Sequence, residues 1–356
     1  MFYIDRFPTL VPPMIVFLLA FFVSVHLTWV LQGLSRRLGI LDHPDERKPQ
    51  PAPVPCTGGV AVVTSVTVSL LLSYGRSPQV QVILWVGLGI AAVGLLDDVF
   101  SVRAAVKLLA LAVGCLVLSR HGIGLNRTPW AALNWALTFL WVAGVASAFN
   151  AIDNADGLAG SICLISAAAI FFLGWSTWQM AFSFLAMALA GAALGFLHHN
   201  VKPARIYLGD CGSFFLGYVL AVLVIFGDWS ENPLQSFLGG CFVVGLPIYD
   251  LALTTLLRVR HGIVKSLADA IAYSDRDHLS HRLLRMGLSH GQMLAALCAL
   301  SAAGGAVGLL IVRSPPAGAA ALAVVSALAL AALGLYLDGR TSCPALWLNP
   351  APGPGP

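Results

Sequence analysis

Charged residues are scarce in this sequence. Asp, Glu, Lys and Arg account for 10% of its 356 residues, whereas a typical soluble domain contains about 25%. Hydrophobic residues account for 58%, which is above the usual share for a soluble domain. These two values exclude an ordinary soluble domain and predict an integral membrane protein.

The sequence also lacks cysteines at the spacings of a disulfide framework or a metal site. The chain has seven cysteines, an odd number, and they are scattered: Cys56, Cys115, Cys163, Cys211, Cys241, Cys298 and Cys343. Their spacing matches neither a disulfide framework nor a zinc site. We therefore expect them to be packing thiols, and the chemistry must be carried by other residue types.

Long apolar runs are what the sequence has in abundance. A helix needs about 20 apolar residues to cross a bilayer core that is about 30 Å thick. We predict an all-α, polytopic membrane helix bundle of about eleven spans, near residues 10–33, 57–74, 79–96, 104–120, 131–149, 157–174, 177–197, 212–227, 234–257, 291–312 and 317–337. Residues 1–340 would form a single integral membrane domain, and the Pro/Gly-rich residues 341–356 would form a disordered tail.

The basic residues predict the orientation of these spans. With the N-terminus outside and the C-terminus inside, fifteen Lys and Arg residues fall on the inner side and five on the outer side. The positive-inside rule favours this arrangement. The net charge of +4 is then mostly a topology signal, so it needs no nucleic-acid partner.

The same topology places carboxylates from several separate segments on the inner side. Asp97 and Asp98 end the third span, Asp153 and Asp156 follow the fifth, and Asp210 precedes the eighth. An Asp in hydrocarbon costs about 2.5–3.5 kcal/mol, so these groups must meet water, a cation or one another. Helix capping or a solvated helix end explains one such residue but not the whole set.

An amide joins these carboxylates. Asn150, Asp153 and Asp156 are three residues apart, which keeps them near one face of a helix. Oxygen ligands without cysteine suit a hard cation such as Mg²⁺, with Mn²⁺ as an alternative. Four basic residues of the same face could hold phosphates: Lys107, Arg205, Arg258 and Arg282. The pattern indicates phosphoryl transfer.

Five segments resemble, in order, the motifs of the polyprenyl-phosphate N-acetylhexosamine-1-phosphate transferases of glycosyltransferase family 4. They are "LDHPDERKPQPAPVPCTGG" (41–59), "GLLDDVFSVRAAVKLL" (94–109), "SAFNAIDNADGLAG" (147–160), "NVKPARIYLGDCGSFFLG" (200–217) and "DRDHLSHRLLRMGLSHGQ" (275–292). One of these segments would be a weak signal, but five in the same order are specific. The His-His-His-Phe-Glu ending of the muropeptide-precursor branch is absent, so the chain resembles the hexosamine branch.

The resemblance implies a reaction. It is the transfer of N-acetylhexosamine-1-phosphate from a UDP-sugar, with UDP-GlcNAc as the first choice, to a polyprenyl phosphate such as undecaprenyl phosphate. The products would be a lipid-diphosphate sugar and UMP, in the initiating step of cell-envelope glycan synthesis. The implied enzyme is Mg²⁺-dependent, lies in the inner (plasma) membrane with its active site facing the cytoplasm, and is compatible with a homodimer.

The resemblance also implies roles at the metal and the lipid phosphate. Asp210 and Asn150 would ligate the metal. Asp97 and Asp98 would orient the incoming lipid phosphate or take its proton. Asp153 would support either the metal or the phosphate.

Further roles concern the diphosphate and the nucleotide. Lys107 and Arg282 would neutralise the diphosphate, and His278 and His281 would complete the catalytic set, although two solvated loop imidazoles are the alternative. The residues expected on the nucleotide side are Asp156, Asn200, Arg205 and Tyr207, the last by stacking.

Four positions depart from the family pattern. Ser147 replaces an Asn, Ser280 replaces the middle His of the loop, Ala110 stands where Gln is common, and Gln50 replaces a frequent His. The remaining acidic and basic residues are present, so an active enzyme is expected. Of the four departures, Ser280 is the one that most affects the expected contacts with the sugar or phosphate.

Two other classes of protein are alternatives to the enzyme. A cation-coupled transporter also keeps carboxylates among its helices, but near the bilayer midplane on broken helices. A non-catalytic scaffold would not need acids on a single face. The position of the acids at inner span ends favours the enzyme.

Overall fold

The computed structural model describes residues 12–44, 52–74, 77–126, 128–266 and 277–341. Within these ranges the chain forms thirteen helices and one pair of two-residue strands. The helices are α1 (Pro13–Leu38), α2 (Gly58–Tyr74), α3 (Pro78–Phe100), α4 (Ala104–Arg120), α5 (Ala131–Ile152), α6 (Leu158–Ser176), α7 (Met180–Asn200), α8 (Gly209–Phe226), α9 (Pro233–Val243), α10 (Gly245–Arg260), α11 (Leu279–Arg285), α12 (His290–Arg313) and α13 (Pro316–Thr341); β1 (Leu41–Asp42) pairs antiparallel with β2 (Val54–Pro55). The all-α prediction is confirmed apart from this short pair, while the predicted tail after residue 341 lies outside the described residues.

Helix α8 forms the centre of the bundle. Its sequence is apolar on every side, as expected for a helix with no exposed face. Of the residues in its apolar stretch, 83% are buried inside the protein. Helices α3 and α5 both pack along it. In α13, the outermost long helix, only 11% of the residues in the apolar stretch are buried. Residues at the start of α8 therefore belong to the most deeply buried of the eight long apolar helices.

Small residues let α7 approach α1 closely. Gly191 and Gly195 are four residues apart on α7, and a Cβ on Gly195 would come within 2.5 Å of the Phe21 carbonyl oxygen in α1. This is the small-xxx-small pattern by which membrane helices bring their backbones together. The pair α1 and α7 forms one side of the bundle.

The number of spans is supported in part. Eight of the described helices are long and apolar enough to cross a membrane, and a bent pair of helices raises this number to nine. Helices α2 and α4 have 17 residues each, which corresponds to about 26 Å of helix against a core of about 30 Å. Each of the eleven predicted segments is helical, but eleven crossings remain a prediction.

The predicted ninth span, residues 234–257, is not one continuous helix. It consists of α9 and α10, which meet at a bend of 75°. Pro247 has no N–H to donate to the carbonyl of Val243, and its ring clashes with that carbonyl. Helix α9 accordingly ends at Val243. Pro247 is the signal in the sequence that marks this break.

Candidate active site

The polar residues predicted from the sequence meet at one end of the bundle. Asp97 and Asp98 lie in the last turn of α3, and Asn150 lies in the last turn of α5. Lys107 lies in the first turn of α4, and Asp210 in the first turn of α8. We call these five residues the charged cluster. Four helices from three separate stretches of the chain thus bring their ends together around Asp210.

Lys107 joins two carboxylates of the charged cluster. Its Nζ donates to Asp97 Oδ2 at 2.9 Å and to Asp210 Oδ2 at 2.6 Å. The three side chains are 17–23% exposed, so these ion pairs are only partly shielded from solvent. The ammonium also lies 5.3 Å from the centroid of the Phe214 ring. A positive charge is therefore fixed between two negative ones at a place that a ligand can reach.

Asn150 holds the other side of Asp210. Its Nδ2 donates to Asp210 Oδ1 at 2.8 Å and to Ser213 Oγ at 3.0 Å. One oxygen of Asp210 therefore contacts an ammonium and the other contacts an amide. Asp153 follows as the half-buried C-cap residue of α5, and its support of a metal or phosphate stays a prediction.

Asp98 contacts the backbone of α8. Its Oδ1 accepts from the Asp210 N–H at 2.7 Å, and its Oδ2 accepts from the Cys211 N–H at 3.1 Å. The first N–H groups of a helix lack partners within the helix and carry partial positive charge. Asp98 therefore caps α8 and fixes the backbone of Asp210, while its predicted action on the lipid phosphate stays a prediction.

Gly209 makes this capping contact possible. Its φ is +71°, a conformation that favours glycine, and a Cβ there would lie 2.5 Å from the Cys56 carbonyl oxygen and 2.6 Å from Asp98 Oδ2. We expect Gly209→Ala to lower the free energy of unfolding by about 2 kcal/mol or more. We also expect turnover to fall at least about 10-fold because Asp98 and Asp210 shift. Thermal unfolding in detergent and a turnover assay measure the two effects.

Gly89→Ala is the matched control for this prediction. Gly89 lies within α3, and a Cβ there would meet nothing within 4 Å. Because alanine favours a helix over glycine, this variant should be as stable as the wild type or slightly more stable. A Gly209→Ala protein with the stability and turnover of the Gly89→Ala protein would contradict the expected strain.

Two loops beside the charged cluster are tied together by Asn200 and Asp156. Asn200 is 4% exposed; its Oδ1 accepts from the Gly157 N–H at 2.9 Å and its Nδ2 donates to the Ile206 carbonyl at 2.9 Å. Asp156 Oδ2 accepts from the Ala204 N–H at 3.0 Å. Both side chains thus position the loop between α7 and α8, and their direct contacts with a nucleotide stay predictions.

Tyr207 lies in the same loop among three acids. Its N–H donates to the Pro55 carbonyl at 2.7 Å. Burial, together with the nearby charges of Asp156, Asp42 and Asp153, raises the pKa of Tyr207 to about 12. The phenol therefore stays neutral at ordinary pH and keeps a proton to donate. Asp42 was not among the predicted site residues, although it lies in the first of the five segments that resemble the family.

His278 is bound by Asp250, which the sequence analysis missed. Asp250 lies in α10, is 1% exposed, and has its Oδ2 2.9 Å from His278 Nδ1. A signal was available, since Asp250 falls inside the predicted ninth span and an acid within an apolar span is seldom without function.

Two basic residues expected to hold phosphates bind within the protein. Arg258 forms two hydrogen bonds with Asp277, at 2.8 and 2.6 Å. Arg282, 1% exposed, donates through Nε to the Asp277 carbonyl and through Nη1 to Thr341 Oγ1, both at 2.7 Å. Burial lowers the pKa of the Arg282 guanidinium. Arg205, by contrast, is exposed.

Ser280, the main departure from the family pattern, lies at a contact between two loops. It is 1% exposed, and its Oγ donates to Asn154 Oδ1 at 2.5 Å. Asn154 belongs to the segment that carries Asp153 and Asp156. Ser280 therefore connects the histidine loop to the acidic loop, while the neighbouring His281 is half-buried.

The charged cluster has carboxylate and amide oxygens, which are the ligand atoms that Mg²⁺ binds. Within the described ranges no group of three or more His, Cys, Asp or Glu residues is arranged to hold a metal. Mg²⁺ needs fewer protein ligands, because one or two carboxylates, waters and substrate phosphates usually bind it. Asp97 and Asp210 already converge on one cation, and Asn150 bonds through its nitrogen, which keeps its amide oxygen as a further donor. The residues therefore fit a Mg²⁺ site that the substrate completes.

Comparisons with known proteins agree with this arrangement. The family model described as glycosyl transferase family 4 matches residues 80–228, which include the whole charged cluster. A protein of Bacillus subtilis named a probable undecaprenyl-phosphate N-acetylglucosaminyl 1-phosphate transferase is 31% identical over 287 residues, covering 78% of each chain.

Two further relatives carry similar names. A decaprenyl-phosphate N-acetylglucosaminephosphotransferase of Mycobacterium tuberculosis is 28% identical and aligns over 78% of this chain and 77% of its own. An undecaprenyl-phosphate alpha-N-acetylglucosaminyl 1-phosphate transferase of Escherichia coli is 24% identical over 78% of each chain. The chain belongs to glycosyl transferase family 4, among the polyprenyl-phosphate N-acetylhexosamine-1-phosphate transferases.

Proposed function

We propose that this protein transfers N-acetylglucosamine-1-phosphate from UDP-GlcNAc to a polyprenyl phosphate, with UMP as the leaving product. The observation that carries the proposal is the convergence of Asp97, Lys107 and Asp210 at one end of the bundle. Family membership supports the reaction class, and the names of the relatives support both the sugar and a lipid acceptor such as undecaprenyl phosphate.

The proposed reaction needs positioning more than it needs a strong base. An oxygen of the lipid phosphate attacks the β-phosphorus of the UDP-sugar, and the bond from that phosphorus to the bridging oxygen of UMP breaks. A phosphate monoester has its second pKa near 6, so at neutral pH the attacking oxygen is largely ionised. The protein's task is to hold the two anions in line and to balance their charge.

The charged cluster supplies this positioning. Asp210, Asn150 and Asp97 would hold Mg²⁺, which when bound neutralises charge on the diphosphate as a Lewis acid. Lys107 supplies a second positive charge beside the same carboxylates. Asp98 keeps the start of α8 in place through two backbone N–H groups.

We further propose that the charged cluster faces the cytoplasm of a bacterial inner membrane. The excess of Lys and Arg on this side of the predicted topology supports that orientation. Trp178 and Val201 flank the two ends of α7 and are 80% and 55% exposed. A cysteine at each position therefore reports one side of the membrane.

Thiol labelling tests the orientation. In a background without native cysteines, Trp178→Cys should react with a membrane-impermeant maleimide in right-side-out vesicles. Val201→Cys should react only after permeabilisation. The reverse pattern would place the charged cluster outside, where a cytoplasmic nucleotide sugar cannot reach it.

Release of UMP by the purified protein tests the function. Turnover is expected to need UDP-GlcNAc, undecaprenyl phosphate and Mg²⁺ together, and UDP-GalNAc compared at equal concentration reports the choice of sugar. Ion-driven transport in liposomes without UMP release would favour a transporter. UMP release that continues without the lipid acceptor would contradict the proposed transfer.

A further inference from the structure

Asp250 places both of its oxygens on the start of the histidine loop. Its Oδ2 lies 2.9 Å from His278 Nδ1, and its Oδ1 accepts from the Leu279 N–H at 2.7 Å. Asp250 is 1% exposed and His278 is 8% exposed. A buried carboxylate is tolerated when it is paired and hydrogen-bonded, and here two adjacent residues of the loop contact its two oxygens.

This two-point contact fixes the imidazole. The bond to Leu279 locks the backbone beside the histidine, and the bond to Nδ1 sets the rotation of the ring. Because an ionised carboxylate can only accept, Nδ1 must carry a proton. The ring then presents Nε2 as the nitrogen that can accept a proton or, once protonated, donate to a phosphate oxygen.

A second residue of the same helix holds the loop through the residue that precedes the histidine. Arg258 lies eight residues after Asp250 on α10 and binds Asp277, the residue before His278, through two hydrogen bonds. Stabilisation of the loop is therefore already provided by Arg258 and Asp277. Asp250 adds a contact to the imidazole itself.

We propose that Asp250 is a positioning residue that orients His278 and sets its tautomer, so that Nε2 faces the phosphoryl groups. The inference rests on the proposed function and on the expectation from the family resemblance that His278 belongs to the catalytic set. Residues in such supporting positions typically change activity by about 10- to 100-fold when replaced.

A double-mutant cycle tests the proposal with UMP release as the readout. Asp250→Asn keeps the shape of the side chain and removes its charge, and it should lower kcat about 10- to 100-fold while KM for UDP-GlcNAc changes less than about twofold. If Asp250 acts through His278, adding Asp250→Asn to His278→Ala should cost no more than about a further twofold. Full additivity of the two losses would overturn the proposal.

Asp338→Asn is the matched control. Asp338 is 7% exposed and also pairs with a histidine, with its Oδ1 3.0 Å from His261 Nε2, while its Oδ2 lies 3.1 Å from Arg260 Nη1. Neither partner belongs to the proposed site. The control should retain wild-type kcat. Wild-type turnover by Asp250→Asn would overturn the proposal and leave the proposed function intact, whereas an inactive wild-type protein would count against the function itself.

A spectroscopic measurement on the wild-type protein covers the case in which Asp250→Asn does not fold. Histidine labelled with ¹⁵N reports the tautomer of each ring, and the resonances lost in His278→Ala identify His278. We expect the proton on Nδ1. A neutral ring with its proton on Nε2 would overturn the proposed orientation.

Discussion

Replacing Asp210 with Asn is expected to reduce UMP release by about 10³-fold, a loss of the size seen when a single preorganised electrostatic group is removed from an active site. Asp210 is the meeting point of the charged cluster, since its two oxygens contact Lys107 and Asn150 and its backbone N–H contacts Asp98. The amide keeps the shape of the side chain but has no negative charge to offer a cation. Steady-state kinetics at saturating Mg²⁺ measure the loss.

The control for this prediction lies beyond the other end of α8. Asp228 follows α8 and is exposed, so Asp228→Asn makes the same chemical change at the opposite end of the bundle. This variant should retain wild-type turnover, and both variants should unfold within a few degrees of the wild type. Turnover by Asp210→Asn within about tenfold of the wild type would remove Asp210 from the proposed metal site.

Much of the charged cluster could be predicted from the sequence because membrane insertion restricts where acids can lie. Once the spans and the positive-inside bias fix the side on which each helix ends, Asp97, Asn150 and Asp210 must lie at the same end of the bundle. The structure brings these residues into contact around Lys107. Hydropathy and charge thus predict which end of the bundle these residues share, whereas the contacts among them come from the structure.

The parts that could not be predicted depend on which side chains pair within the protein. Arg258 looked like a phosphate ligand from its type and side, yet the buried carboxylate of Asp277 accepts two hydrogen bonds from its guanidinium. Asn200 likewise uses both ends of its amide within the fold. Charge patterns in a sequence report the face on which a residue lies, but they do not report whether its partner is a substrate or another residue.

The bend between α9 and α10 shows a different limit. The apolar pattern runs through residues 234–257 without a break, so hydropathy alone predicts one span. Pro247 ends the first helix, and the 75° turn gives α10 a new direction, in which Asp250 reaches the histidine loop. A local backbone rule here outweighs the hydrophobic pattern.

Replacing Lys107 with Met is expected to lower kcat by about 10²-fold. Methionine has a similar length but no charge, so Asp97 and Asp210 would face each other without the ammonium that now contacts both, at 2.9 and 2.6 Å. Because the ammonium occupies carboxylate oxygens that Mg²⁺ would also use, its removal should lower the Mg²⁺ concentration needed for half-maximal turnover. The variant would thus bind the metal at least as well and still turn over slowly.

Two comparisons separate this effect from a general loss of positive charge. Lys202 is exposed and follows α7 at the same end of the bundle, so Lys202→Met removes one charge from that face and should leave kcat unchanged. Lys107→Arg keeps the charge but replaces a compact ammonium with a planar fork, which suits one carboxylate better than two on different helices, and it should restore only part of the rate. If Lys107→Met kept the wild-type kcat and merely needed more Mg²⁺, Lys107 would be a support for the metal site and not a group that balances charge during transfer.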